Sequence, residues 1–524
     1  VENYRPWLYL AAVLLLLPAL LINLGLLTFI DDEAIRSLVA LEMKLSGNYI
    51  TPTLNGEFYY KKPPLFNWIL LAFFELTGHI DEFTARFVTV LSLLGYAATV
   101  FYFFRRHYST KIAFLNAFIL ITCGRILFWD SMLALIDITF SWVIFTSFML
   151  IYHEFEKGRF WRLFLFSYLL AAIAFLLKGL PAVVFQSITL LVYFAYRKQF
   201  LRLFSLPHIV GATLFLLIVG GYYLTYHQYN SLQALFNTLV YESTQRTVVH
   251  YSWGATILHF FTFPFEMVYH FLPWSLFAIY FIRRDILELL RRDSFIVFNL
   301  IVFLANILVY WTSPEVYPRY LLMLAPLLFS AFVYLHFIHR EERSWQFRTL
   351  DGLLFVLLII IAGASFAPLF LERSAWIIGR TPKAVSVGAA SLLLVYLYRR
   401  WRSERLLVVV LFLLVFRIGF DWFVLPDRNA NDFGNLCRIS SEEVGNKFIG
   451  EPLYIYGERT LMQVTNSFYI TNERRQIVPI KKDNFVKGPV YIIDPQAYPK
   501  VNYEKLEELY LRHGQKTYHV GRLK

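Results

Sequence analysis

Long apolar runs separated by short polar or basic stretches dominate the chain up to residue 424. A run of about 20 apolar residues can cross the hydrocarbon core of a bilayer, and roughly thirteen runs of that order can be placed. They cover Trp7–Phe29, Phe83–Phe104, Ile112–Trp129, Ala134–Tyr152, Phe160–Leu177, Leu180–Tyr196, His208–Tyr226, His259–Ile282, Phe295–Trp311, Tyr320–Ile338, Leu350–Leu371, Ile377–Tyr398 and Leu406–Val424. The pattern predicts a polytopic α-helical membrane protein. The first run is too long for a signal-peptide core and lacks a small-residue cleavage site, so a true span is expected there. Because the chain begins without Met, a few residues are expected to precede it.

Charge orients the spans. "RRHYSTK", "KGRFWR", "RKQFLR", "RRDILELLRRD", "HREERSWQFR" and "YRRWRSER" fall on alternate loops, which the positive-inside rule assigns to the cytoplasm. The expected arrangement is a cytoplasmic N-terminus and a large outer loop over residues 30–82. Counting the short stretch "LFNWILLAFFELTG", residues 65–78, as a span would invert this order, so it is expected to lie on or dip into the outer face. Residues 1–424 are thus read as the membrane domain.

After Val424 the composition shifts. "LPDRNANDFGN" reads as a linker, "PLYIYG", "QIVPI" and "PVYIID" as short strands, and "ERTLMQVTNSFYI" and "NYEKLEELYLRHG" as helices. Residues 425–524 are expected to form a small extracytoplasmic α/β domain.

Overall composition supports this class. Of the 524 residues, 58% are hydrophobic and only 16% charged, which excludes an ordinary soluble multidomain protein. The net charge of +12 does not argue for nucleic acid, because the basic residues sit in loops between spans. Cys123 falls in an expected span and Cys437 in the tail, so no disulfide joins them in this reading. The chain has no HExxH, Walker A or dinucleotide-binding motif.

Chemistry concentrates in the loops assigned to the outer side. "FIDDEAIRSLVALEM" places Asp31, Asp32 and Glu33 at the end of the first apolar run. The plain reading is helix capping, with Asp31 or Asp32 opening a helix from about Asp32 to Leu45 whose Leu38, Leu41, Met43 and Leu45 make an apolar face. The same loop carries Lys61 and Lys62 ahead of Pro63 and Pro64, a rigid corner suited to holding phosphate as well as to snorkelling. "WDSMLALIDITF" holds Asp130 and Asp137 seven residues apart, near one helical face. Asp137 opens an apolar run, and an ionisable group near membrane depth is a functional candidate. Lys178, Glu242 and Arg246, and Arg319 with Tyr320, lie on the same side in this topology. Singly each is more often an interface anchor.

These residues carry a resemblance. The first outer loop resembles that of GT-C polyprenyl-phosphate-sugar transferases, in the branch of protein O-mannosyltransferases and the lipid A aminoarabinose transferase. The family pattern of Asp-Glu, Glu-Met, Ser-Gly-Asp-Trp, Asn-Gly and Lys-Pro-Pro is matched by Asp32-Glu33, Glu42-Met43, "SGNY", Asn55-Gly56 and Lys62-Pro63-Pro64. "YESTQRTV" is similar to the family's Glu-His-Ile-Gln-Arg stretch and "LKGLPA" to its Thr-Lys-Gly turn. The chain departs in having Lys61 where the aminoarabinose branch has an acidic residue, and Ile35, with Arg36 beside it, where that branch has arginine. The family's lysine before the tenth span is missing, with Arg319 in its region.

The resemblance implies an inverting transfer of sugar from an undecaprenyl-phosphate-type donor to a lipid or protein acceptor outside a bacterial inner membrane. It implies Asp32 as general base, which must lie within about 3 Å of the acceptor hydroxyl. Lys62, with Arg246, Lys61 or Lys178, would hold the donor phosphate, and Asp137 and Glu33 would orient the acceptor or the basic groups. Asp130, Glu242, Arg319 and Tyr320 are further substrate-binding candidates. No cofactor is required, since lysine and arginine can neutralise the leaving phosphate, although a divalent ion could bind the carboxylates. A monomer without nucleic-acid partners is expected. A transporter or flippase would instead show inverted repeats and midplane charges, and a scaffold would tolerate loss of Asp32 and Lys62.

Overall fold

The structure is a computed structural model that describes residues 5–30, 32–244, 253–313 and 315–524, with the side chains of 239–240, 242–244, 253 and 255 left outside the description. The helices are α1 Pro6–Leu21, α2 Asp32–Ser46, α3 Leu65–Thr77, α4 Glu82–Phe104, α5 Thr110–Ile121, α6 Gly124–Phe128, α7 Ile136–Glu156, α8 Phe160–Lys178, α9 Pro181–Tyr196 and α10 Leu206–His227. They continue with α11 Leu232–Thr244, α12 Trp253–His270, α13 Ile286–Arg291, α14 Ser294–Trp311, α15 Ala325–Glu342, α16 Trp345–Ala364, α17 Arg380–Arg400, α18 Arg405–Asn431, α19 Phe433–Lys447 and α20 Val464–Arg474.

Eight of the described helices are long and apolar enough to cross a membrane, namely α4, α7, α8, α10, α14, α16, α17 and α18, and the bent pair α5–α6 makes a ninth if counted as one. The remaining apolar runs fall on helices that are shorter, interrupted or, in the 18-residue α15, charged at the end by Arg340, Glu341 and Glu342. α1 ends at Leu21 because the chain turns through Asn23 in a left-handed conformation. The run 259–282 is split by Pro273, which lacks an N–H, into α12 and a 3-10 segment Trp274–Phe281. The short stretch at 65–78 forms α3, too short to span, capped by Gly78. α2 begins at Asp32 as expected, yet its apolar side is not an exposed interfacial face: Leu38, Leu41 and Met43 are buried in the protein. It packs on α3 and α20.

The tail differs from its sequence reading in two places. The expected linker is helical, since α18 continues to Asn431 and α19 follows at once from an Asp432 cap. The stretch "NYEKLEELYLRHG" is a strand rather than a helix. There β6, Tyr503–Leu511, pairs antiparallel with β7, Lys516–Leu523, and buries Leu509 and Leu511 while Tyr510 between them faces the other way. Period-two burial against a partner strand outweighs the helical preference of Lys, Leu and Glu. The sheet has the order β4-β3-β5-β7-β6, with β3 (Leu453–Tyr456) parallel to β4 (Ile480–Lys481) and β5 (Val490–Ile493). A separate two-stranded hairpin, β1 (Thr53–Leu54) and β2 (Glu57–Phe58), lies in the loop after α2.

This α/β unit is bonded to the N-terminal part of the bundle. Tyr469 of α20 donates to Glu82 at the start of α4, Arg438 of α19 pairs with the same carboxylate at 3.3 Å, and the Phe29 amide donates to the Tyr469 hydroxyl at 3.2 Å. The Ile480 amide donates to the Asn55 carbonyl at 3.2 Å, and Lys482 pairs with Glu57 at 2.6 Å.

Within the bundle, Arg417 and Asp421 form a fully buried pair one turn apart on α18, with Nε–Oδ1 at 2.8 Å, and Arg417 also donates to the Leu127 carbonyl at the end of α6. Removing one member of such a pair strands a charge. Asp421→Leu is expected to destabilise by about 3–5 kcal/mol, while Arg417→Leu with Asp421→Leu recovers most of that loss. Thermal unfolding of both variants in one detergent checks this; equal loss in the single and double variants would contradict it.

Candidate functional site

Four charged residues from four segments meet at one end of the bundle. Asp32 is the first residue of α2, Asp137 lies in the first turn of α7, Lys178 ends α8, and Arg319 sits in the 3-10 turn Pro318–Leu321 before α15. The placement suits the helix dipoles, with carboxylates at N-termini and an ammonium at a C-terminus. Gly179 ends α8 with φ +83°, a backbone conformation that a side chain would strain, and its amide returns to the Phe175 carbonyl at 2.7 Å.

Asp137 is held between two cations. Lys178 Nζ donates to its Oδ1 at 2.5 Å, and Arg319 Nε stands 3.7 Å from its Oδ2. Arg319 Nη2 reaches Asp32 Oδ2 at 3.3 Å, so one guanidinium bridges both carboxylates. The aromatic walls complete the grip: Lys178 Nζ is 4.1 Å from the Tyr320 ring centre, and Arg319 lies 4.6 Å over Tyr317. Arg319, Asp137 and Lys178 are almost wholly covered, whereas the Asp32 side chain is 47% exposed. Asp32 is therefore the carboxylate of this cluster that a substrate can reach directly.

Glu33 faces away from this opening and is fully buried. Both its oxygens are taken by Arg86 of α4, at 2.7 and 3.1 Å, and it also accepts from the backbone amides of Ile30 at 2.7 Å and Ala134 at 2.9 Å. Arg86 donates further to the carbonyls of Leu24, Leu27 and Thr28. The sequence reading passed over Arg86 because it sits within an apolar run; its signal is that same incongruity, a lone arginine in "FTARFVTV".

Asp130 is buried against Arg125 at 3.0 Å, also overlooked in the sequence, and feels the charges of Asp137 and Arg319. Lys61 is exposed and Lys62 half-buried in the corner ahead of α3, whose N-cap is Pro64. That corner is tied to the α10–α11 turn, where Asn230 donates to the Tyr60 hydroxyl at 3.1 Å. Arg246 and the Glu242 side chain lie outside the described residues. Among the described residues no group of three His, Cys, Asp or Glu gathers as a metal site.

The hairpin gives the remaining loop residues a structural meaning. Asn55 and Gly56 both have positive φ, +52° and +75°, the two-residue turn that Asn-Gly favours. Glu42 fastens it by accepting from Thr53 Oγ1 at 2.6 Å and from the amides of Asn55 and Gly56 at 2.7 and 3.2 Å. Burial pushes the Glu42 carboxyl above its ordinary value, and these three donors offset part of that rise.

Comparisons with known proteins bear on the fold. Residues 61–223 match the family model described as dolichyl-phosphate-mannose-protein mannosyltransferase. An uncharacterized protein of Aquifex aeolicus (strain VF5) is 23% identical over 287 residues, 54% of this chain and 56% of that protein. A second from the same organism is 31% identical over 86 residues, 16% and 20% of the two chains. The match thus spans about half the length of the first of these relatives and less of the second. The crystal structure of ArnT from Cupriavidus metallidurans bound to undecaprenyl phosphate superposes with a TM-score of 0.71 at 17% identity, covering 98% of each chain. Its apo form gives 0.69 at 18% identity, covering 99% of this chain and 98% of that one. The chain is therefore a multi-pass membrane protein by its apolar helices. Over nearly its whole length it has the fold seen in ArnT.

A raised carboxyl has a consequence for stability. Below the ordinary value near 4.5 Glu42 is protonated in both folded and unfolded chains; as pH climbs towards the raised value the unfolded chain releases its proton first, so stability falls and then levels. Glu42→Gln should flatten that part of the slope, read as melting temperature against pH, while lowering the plateau through lost acceptors. An unchanged slope would contradict the assignment.

Proposed function

We propose that this chain is an inverting glycosyltransferase that moves a sugar from a polyprenyl phosphate to an oxygen of an acceptor at the outer face of the membrane. The observation that carries it is the bridge of Arg319 between exposed Asp32 and buried Asp137, with Lys178 beside them. It sets a reachable base next to buried, fixed cations. In the reaction the acceptor oxygen bonds to the anomeric carbon as the bond from that carbon to the phosphate oxygen breaks. A hydroxyl acceptor gives its proton to Asp32, and the polyprenyl phosphate leaves with the bonding electrons. Arg319 and Lys178, with Lys62 from the proline corner, offset the charge that develops on the phosphate. Lys61 and Arg246 are the further cations of that phosphate site in this reading, and Tyr320 stacks on Lys178 to hold it. Glu33 acts through others, locking α2 to α7 by way of Arg86 and the Ala134 amide.

The donor's tail has a route. An apolar cavity of about 210 Å³ starts at Leu321 and Leu324, directly after Arg319 and Tyr320, and continues along Phe263, Met267 and Phe303. Its size suits the first isoprene units of a longer lipid that then runs into the bilayer. The undecaprenyl phosphate bound in the ArnT crystal structure supports a lipid phosphate as the donor's carrier. The outer-side placement rests on the alternation of basic loops.

Asp32→Asn keeps the shape and one hydrogen-bonding oxygen but removes the base. Turnover is expected to fall by about a hundredfold or more, with undecaprenyl phosphate binding, measured by native mass spectrometry, close to that of the parent. Lys62→Ala is expected to weaken that binding about tenfold. Full turnover by the Asp32→Asn protein would refute the catalytic assignment.

A further inference from the structure

The end of the bundle away from Asp32 holds a second charged cluster. α15 begins at Ala325, just after the Arg319 turn, and His336 and Arg340 lie about three and four turns further along it. There a cleft opens between α15, α16 and the turn 401–404 that joins α17 to α18. Four cations, Lys111, Arg340, Arg402 and Arg405, line it together with two carboxylates, Asp351 and Glu404. Ion pairs fix the walls: Lys111 Nζ donates to Glu404 Oε1 at 2.9 Å and to the Ser403 carbonyl at 3.0 Å, and Arg405 Nη1 donates to Asp351 Oδ2 at 2.7 Å. The Tyr398 hydroxyl donates to the other Asp351 oxygen at 2.8 Å.

Two groups in this cleft are unused. His336 is only 7% exposed; its Nδ1 meets the Tyr280 hydroxyl at 2.9 Å, and its Nε2 has no hydrogen-bond partner among the described residues. When the phenol donates to Nδ1, the ring's own proton stands on Nε2. Arg402, at the rim, is exposed and has neither an ion-pair nor a hydrogen-bond partner among the described residues. The enclosed space is about 20 Å³, enough for one water or one oxygen of a larger anion. A ligand therefore enters by a single oxygen and leaves its bulk at the rim. That rim lies at a belt of indoles: Trp401 precedes Arg402 and packs edge-on against exposed Trp7 at 5.4 Å, Arg5 lies 4.1 Å over its ring, and exposed Trp345 opens α16. Tryptophans collect where headgroups meet the hydrocarbon. Further along α16, Leu353, Val356 and Ile360 are exposed.

We propose that this cleft binds the phosphate of an anionic phospholipid in the leaflet at this end of the bundle, with one phosphate oxygen on His336 Nε2, another on Arg402, and the acyl chains along the exposed apolar side of α16. In the topology read from the basic loops this is the cytoplasmic leaflet. A guanidinium suits an oxyanion. The excess of cations over carboxylates favours a lipid of net negative charge, because the ammonium group of a zwitterionic headgroup would stand among arginines. A free phosphate offers the same oxygens but has no tail for the apolar flank. A nucleotide would bring a base and a ribose, for which the enclosed space has no room. The ion pairs of Lys111 and Arg405 tie the α17–α18 turn to α5 and α16, and a bound lipid adds α15 to that tie. The site is remote from Asp32 and stands whether or not the chain transfers sugar.

The test uses the full chain in phosphatidylcholine nanodiscs with a phosphatidylglycerol probe whose diazirine sits near its glycerol, and crosslinked peptides are mapped by mass spectrometry. Labelling is expected within residues 345–354 and 398–407. Unlabelled phosphatidylglycerol added to the disc lipid should displace the probe, and an equal addition of phosphatidylcholine should leave it in place. Arg402→Gln and, separately, Ser403→Glu, which sets a carboxylate at the rim, are each expected to cut this labelling about tenfold at an unchanged melting temperature. His336→Phe removes the inner donor and should match them; if that buried change prevents folding, the two rim variants decide. Displacement by phosphatidylcholine as effective as that by phosphatidylglycerol, or labelling that survives both rim variants, overturns the proposal. So does displacement by inorganic phosphate at the same excess, which would make the occupant a soluble phosphate.

Discussion

Each N–H of a buried guanidinium that lacks an acceptor costs free energy, and Arg86 finds acceptors within the chain for all five. Two go to Glu33 and the other three to the carbonyls of Leu24, Leu27 and Thr28, where α1 has already ended and the backbone would otherwise be unpaired. Glu33 passes the constraint on through the amides of Ile30 and Ala134. Asp32 is the neighbour of Glu33, and Asp137 follows Ala134 by less than one turn. The separation of the two cluster carboxylates is thereby set by a charged pair that never meets solvent. Breaking either partner would leave an ion stranded among apolar spans.

Charge balance helps the cluster to be tolerated. The two carboxylates Asp32 and Asp137 are matched by two cations, Arg319 and Lys178, so their formal charges cancel. Pairing offsets part of the desolvation cost of these charges, and an incoming anion can draw Arg319 or Lys178 from a carboxylate. The two rings beside them, Tyr317 and Tyr320, keep the cations in place with weak but directional attraction.

The cluster residues were readable in the sequence because each interrupts or borders an apolar run: Asp32, Asp137, Lys178, Arg319 and Tyr320 all stand at ends of helices or in the turns joining them. The carboxylate next door was readable as a residue but not its partner, because Arg86 lies four residues inside a helix that hydropathy treats as uniform. Asp130 was legible and Arg125 was not, for the same reason. In the tail, local preference favoured a helix at 502–514, whereas pairing with β7 imposed a strand, a non-local term that no window of sequence contains. Continuity of the first and eighth apolar runs was likewise overestimated, since hydropathy does not register the left-handed turn at Asn23 and registers Pro273 only as one more apolar residue.

The hydrogen bond from the Phe29 amide to the Tyr469 hydroxyl joins residues 440 positions apart, and the one from Tyr469 to Glu82 joins positions 387 apart. Contacts this distant in the chain must form late, because most of the spans are made between the two ends. During synthesis the loop bearing Asp32 leaves the ribosome early and waits, with its bracing partner still unmade, until α20 arrives. The loop that bears Asp32 is therefore braced twice, early by Arg86 and late by α20. A chain cut short before α20 would carry Asp32, Asp137, Lys178 and Arg319 without the Tyr469 contacts to Phe29 and Glu82.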